Sequence, residues 1–237
     1  MSLKNWDNKT WLSSKKYIKS FNNFLLEQCQ LSRNSQILDI GCGRGKISGS
    51  LFSKLKLKNK PIGIDIEKHK DRDKRINFKK IDAIDFIKKD KKKFDLILIK
   101  QTIHLLKIKE IKKLIYECKM KLNQKGKILI FTLETSNNEI PSFLLMKKKL
   151  KKSLDRDKKI IRHISKLYPK IKLRRFSFNV KISRDKYVEM IKNRYISTLL
   201  NLSLNEISNG INEINHKYKK VLNFNDKLIC LILDNKL

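Results

Sequence analysis

The chain has 237 residues and a formal net charge of +34, from 57 basic and 23 acidic side chains. This length suits one α/β domain around a single well-buried core and calls for no second globular unit over 1–237. The opening segment lacks the apolar core of ~7 residues that a signal peptide needs, and no run approaches the ~20 apolar residues of a membrane span, so no signal peptide or membrane span is expected and the product should be soluble and cytoplasmic.

In chain order, residues 1–35 predict a helix, because Tyr17, Ile18, Phe21, Phe24, Leu25 and Leu26 recur at about helical spacing. The next segment, Gln36 to Lys46, joins an apolar run (Ile37, Leu38, Ile40) to glycines at 41, 43 and 45. It reads as a strand that ends in a nucleotide-binding turn, since glycine accepts positive φ and lets a ligand approach the backbone. A helix starting near Lys46 would point its N-terminal amides at that ligand. The spacing G-x-G-x-G departs from the dinucleotide fingerprint G-x-G-x-x-G, which turns the reading away from NAD. Pro61 to Ile66 predicts a second strand with Asp65 at its end, placed to accept hydrogen bonds from vicinal ribose hydroxyls. Ile76 to Ile81 leads to Asp82 and Ala83, Phe94 to Ile99 is a nearly continuous apolar strand, and Gly126 to Leu133 follows as a fifth.

With Asp39 two residues before Gly41, the pattern D-x-G-x-G-x-G resembles motif I of the class I S-adenosylmethionine-dependent methyltransferases. The ordered strands and acidic residues extend the resemblance over about residues 35–135. It implies a doubly wound, seven-stranded, mostly parallel sheet of the Rossmann-like methyltransferase kind, with S-adenosylmethionine as cofactor and S-adenosylhomocysteine as product. It places Asp39, Gly41, Cys42, Gly43, Gly45, Asp65, Ile66, Asp82, Ala83 and Lys100 around the cofactor, with Asp82 at the adenine amino group. In many relatives the N-terminal helix covers the cofactor, so Trp6, Trp11 and Tyr17 could form a lid; a helix packed on the sheet edge is the equal alternative. Four scattered cysteines form no C-x-x-C pair, and no acidic and amide cluster stands near the site, so no metal is expected. Cys42, inside the turn, reads as a packing residue.

Ligands of open α/β sheets bind beyond the carboxyl ends of the strands. The fourth strand runs there into Lys100, Gln101, Thr102, Ile103 and His104, without the Asn/Asp-Pro-Pro-aromatic motif of amine methylation or the Pro-Cys pair of cytosine C5 methylation. What remains resembles the small-molecule branch of the family. His104 is a candidate base with a pKa near neutrality, or a residue that caps the next helix or orients the cofactor. Lys100, costly to leave unpaired at a buried strand end, should meet a carboxylate of the protein or of the substrate.

Residues 134–169 predict a polar loop and one or two basic helices, Leu173 to Val180 a sixth strand, residues 183–225 a helical cap, and Lys227 to Leu233 the last strand. The cofactor half is thus 36–135 and the substrate half 136–237. Ser203 and Glu206 form a capping-box pattern. The cap resembles that of trans-aconitate-methyltransferase-like enzymes, which implies a small, anionic or carboxylated acceptor bound by Trp11, Tyr17, Tyr187, Arg194 and Tyr195, with Arg194 as a bidentate fork; tyrosines that pack the cap and an Arg194 in a surface pair are the equal alternative. Lysine supplies most of the charge and is spread over every predicted helix, so it gives nucleic acid only weak support. An RNA methyltransferase and a non-catalytic cofactor-binding protein stay as alternatives, and an acceptor on an acidic carrier protein fits the positive surface.

Overall fold

The computed structural model describes residues 10–235; Trp6 lies outside them. Buried runs with few polar interruptions become the inner strands. β1 (Ile37–Ile40) is buried at all four positions, and β4 (Phe94–Lys100) is covered from Leu96 to Ile99. Around them stand β2 (Ile62–Asp65), β3 (Asn77–Lys80), β5 (Leu122–Leu133), β6 (Lys172–Ser183) and β7 (Val221–Asp234). The sheet order is β3-β2-β1-β4-β5-β7-β6, with β7 antiparallel to both neighbours and the other strand pairs parallel. Chain direction across the sheet reverses between β1 and β4, which opens a crevice at their carboxyl ends.

Two apolar layers cover the sheet. One lies under α1 (Lys15–Gln28) and α2 (Lys46–Leu55), the other under α3 (Ala83–Lys89) and α4 (Ile108–Met120). The segment expected as one or two basic helices is a single 24-residue helix, α5 (Leu144–Leu167), whose Met146, Leu150 and Leu154 join the first layer while Ile160 and Ile164 join the second. Lys147, Lys148, Lys151 and Lys152 occupy its exposed side. No helix among the described residues is long and apolar enough to cross a membrane.

The cap is shorter than expected. It comprises α6 (Arg184–Lys192), a single turn at Ser197–Leu199 and α7 (Leu204–Lys217), after which β7 begins at Val221. Residues 221–225, expected as the end of the cap, together with Asp226 alternate outward Val221, Asn223 and Asn225 with inward Leu222, Phe224 and Asp226, the period-two pattern of a strand. Ser203 and Glu206 close the capping box at the start of α7.

Aromatic rings bind α1 and the cap to this frame. Phe21 packs on Phe131 and Phe176, with ring centroids 4.7 and 5.1 Å apart, and Tyr17 meets Phe178 at 5.1 Å. Tyr17 is fully buried, so α1 packs against the β6 side of the sheet and this tyrosine is part of the core. Tyr187 is fully buried as well; its hydroxyl donates to the Pro141 carbonyl and lies 2.8 Å from the Tyr195 hydroxyl. Tyr187→Phe would leave both oxygens short of a partner and should cost about 1–3 kcal/mol in urea unfolding, with cofactor affinity unchanged.

Candidate active site

Immediately after β1 the chain turns back on β2. The amides of Gly41 and Cys42 both donate to the Ile64 carbonyl, at 2.9 and 3.0 Å. Gly41 has φ 67°, and a Cβ there would fall 2.1 Å from Thr102 Oγ1, so this glycine lets the β1 and β4 exits touch. Gly43, at φ 54°, differs: a Cβ on it would meet nothing within 4 Å, because it faces an open cleft. Gly45, also left-handed, is the residue before α2.

Carboxylates line that cleft. Asp65 accepts from the Gly43 amide at 2.8 Å through Oδ2 and from the Glu67 amide at 2.9 Å through Oδ1, which leaves each oxygen a further lone pair. Asp39 is buried and takes the Ser48 hydroxyl; burial raises its carboxyl to about 6, against the pull of that bond and of Lys100. Asp82 caps α3 by accepting from Ile84 and Asp85 at 2.8 and 3.2 Å, both through Oδ1, and Ala83 follows it in the cleft wall. Ile66 and Leu105 are 57% and 55% exposed and line the same cleft, apolar surfaces that a flat ring would cover. The Cys42 thiol is pushed up by burial and then by Asp39 and Asp65, so it stays protonated and serves packing.

Lys100 and His104 stand at the β4 exit. Lys100 Nζ sits 5.5 Å from the centres of both Tyr17 and Phe21 rings. Burial lowers its pKa, while Asp226 and then Asp39 raise it; among the described residues no carboxylate comes within 4.0 Å to form the expected ion pair. The near-neutral pKa expected for His104 is corrected. Burial, helped by Arg156, lowers it to about 4, so the ring is neutral at pH 7 and only a weak base.

A second, smaller cavity adjoins the first, with volumes of about 40 and about 310 Å³ respectively. Leu12, Gln101, His104 and Ser197 line both. Trp11 and Tyr195 line the smaller one, and the Trp11 indole donates to Asp226 Oδ2 at 3.0 Å. The other acceptor-side residues take different places. Tyr17 and Tyr187 are core, and Arg194, the expected anionic anchor, donates Nη1 to the carbonyls of Leu199 and Leu200 at 2.6 and 3.4 Å. Its guanidinium holds the cap turn, which corrects its expected role.

Sequence reasoning missed four residues here. Gln101 takes a left-handed φ of 51° between the two cavities, with no sequence signal for it. His69 lines the larger cleft with an enclosed, unpartnered Nδ1. Asp157 and Asp226 do carry a signal, since each is a charge in an apolar stripe, on α5 and β7.

A family model described as a methyltransferase domain matches residues 31–194. The chain belongs to this methyltransferase family. It is an S-adenosylmethionine-dependent enzyme, and the donor cleft fits that cofactor: Gly43 leaves room for it, Asp65 retains acceptor capacity, and Ile66 and Leu105 offer apolar faces. No curated protein sequence matches the chain. Among solved structures, one described as a methyltransferase from an antibiotic biosynthesis pathway of Anabaena variabilis has a TM-score of 0.60 at 13% identity, over 89% of this chain and 95% of that one. The plantazolicin methyltransferase BamL, held with a triazolic desmethylPZN analog and SAH, gives 0.55 at 16% identity, over 98% and 89%. A protein of Bacillus halodurans described as a methyltransferase gives 0.54 at 14%, over 92% and 100%. These similarities are of fold.

Asp65→Ala should weaken S-adenosylhomocysteine by about 10- to 100-fold in calorimetry, the loss of charged hydrogen bonds. Gly43→Val should abolish that binding, both because its side chain would enter the cleft and because a β-branched residue strains the turn at φ 54°, while circular dichroism should show that the sheet still folds. For His104, NMR titration should give a pKa near 4 rather than 6.5. A folded-state value below the unfolded one means that this group's contribution to stability is complete above pH 6.5 and is lost as pH falls toward 4. Arg194→Ala should lower the melting temperature through the loosened cap turn, and leave cofactor affinity alone.

Proposed function

We propose that the enzyme transfers a methyl group to a small molecule held beneath the cap, in the cavity bordered by Trp11 and Tyr195. The observation that carries this reading is the shared wall: Leu12, Gln101, His104 and Ser197 line both cavities, so an acceptor in the smaller one would meet a donor in the larger. When bound, the donor supplies a methyl group on a positively charged sulfur, open to in-line displacement. The chain contributes position and exclusion of water. Gly43, Asp65 and Asp82 hold the donor side, the aromatic cap closes the acceptor side, and neutral His104 can accept a hydrogen bond from the acceptor at the junction.

The cap's resemblance to trans-aconitate-methyltransferase-like enzymes argues for a carboxylated acceptor, but with Arg194 committed to backbone carbonyls that idea lacks its main support. An RNA substrate finds little support in a cavity this small beneath helices and rings. A screen of metabolite pools for S-adenosylmethionine-dependent gain of one methyl mass tests the reading. A product among small molecules is expected; turnover on RNA alone, with affinity that collapses between low and physiological salt, would overturn it.

A further inference from the structure

The inward positions of α5 run Met146, Leu150, Leu154, Asp157, Ile160 and Ile164, so a carboxylate stands where the helix stripe calls for an aliphatic side chain. Asp157 is only 3% exposed, it lines the small cavity, and its Oδ1 has no hydrogen-bond partner. Thr198 Oγ1, in the cap turn and on the same cavity, is likewise enclosed and unpartnered. Asp226 adds a second carboxylate, which receives the Trp11 indole. In a chain of 57 basic residues, no lysine or arginine lines this cavity among the described residues. Arg156, next to Asp157 in sequence, turns its Nη2 to the Leu106 carbonyl at 3.2 Å.

A buried carboxylate with no partner is costly in any folded protein unless a ligand or water completes it. Burial accordingly holds the Asp157 carboxyl up at about 6, with Arg156 pulling the other way. Trp11, Ile140, Leu150 and Tyr195 supply apolar surface around it. We propose that Asp157 is the counter-ion for a protonated nitrogen on the acceptor, so the small cavity selects an ammonium-bearing molecule with an apolar body. This rests on the reading of that cavity as the acceptor site.

The test uses full-length protein saturated with S-adenosylhomocysteine and three small probes of similar shape: isoamylamine, isoamyl alcohol and 4-methylvalerate. Ligand-observed NMR should show the amine binding at least tenfold tighter than the alcohol or the carboxylate. Asp157→Asn should remove that preference with S-adenosylhomocysteine affinity unchanged. Asp157→Leu should also remove it, and should raise the melting temperature, because it completes the α5 stripe. Equal binding of the three probes, no binding of the amine, survival of the preference in Asp157→Asn, or a fall in melting temperature for Asp157→Leu would each overturn the proposal. Failure of wild-type protein to bind S-adenosylhomocysteine would instead remove the donor cleft, and with it the acceptor-site reading drawn from the shared wall.

Discussion

One carboxylate joins two of the strand ends around the donor cleft, those of β1 and β2. Asp65, at the tip of β2, receives the Gly43 amide from the β1 turn and the Glu67 amide from its own exit, so one side chain ties both exits together. The two amides that bond the Ile64 carbonyl lock the same turn from behind. Because the turn is held by main-chain groups and one side chain, Gly43 keeps an open face toward the cleft, and α2 starts at a fixed place. The buried Asp39, bonded to Ser48 at the foot of α2, is tolerable only inside such a fixed frame.

Much of this was legible in the sequence, for identifiable reasons. Inner strands of a parallel sheet are covered on both faces, so β1 and β4 read as apolar runs broken only by Asp39 and Asp95, and the turn after β1 announced itself through glycines at alternate positions. Asp65 and Asp82 stand at strand ends, where an isolated acid is conspicuous. The outer part of the sheet was harder. The start of β7 alternates Asn with Leu and Phe, and without knowledge of its neighbour β6 that pattern does not look buried. Side-chain direction was harder still: Arg194 has the chemistry of an anion clamp, but only the path of the cap shows its guanidinium turned to Leu199. His104 failed for a related reason, since its pKa depends on burial and on Arg156, which lies far along the chain.

Charge is segregated in depth. The lysine excess lies on solvated helix faces, as on α5, where it costs little and says little about partners. Among the described residues the buried charges lean to the opposite sign, with Arg44 an exception. Asp39, Asp157 and Asp226 are each nearly inaccessible, and Lys100, stacked over Tyr17 and Phe21, is the cation that faces two of them. Net charge therefore describes the surface of this protein and misleads about its pockets.

The last pair of the β6–β7 ladder is Ser183 with Val221, and the Arg184 amide bonds the Lys220 carbonyl at 2.8 Å directly above it. The whole cap thus leaves and re-enters the sheet through one closed gate, as a hairpin loop does. A change of length between those two residues leaves the pairing of the ladder below as it is, provided the cap still offers the core its buried side chains, such as Tyr187 and Leu199. For a protein engineer the same gate is a graft point, where a foreign cap could be spliced onto an intact donor-binding half.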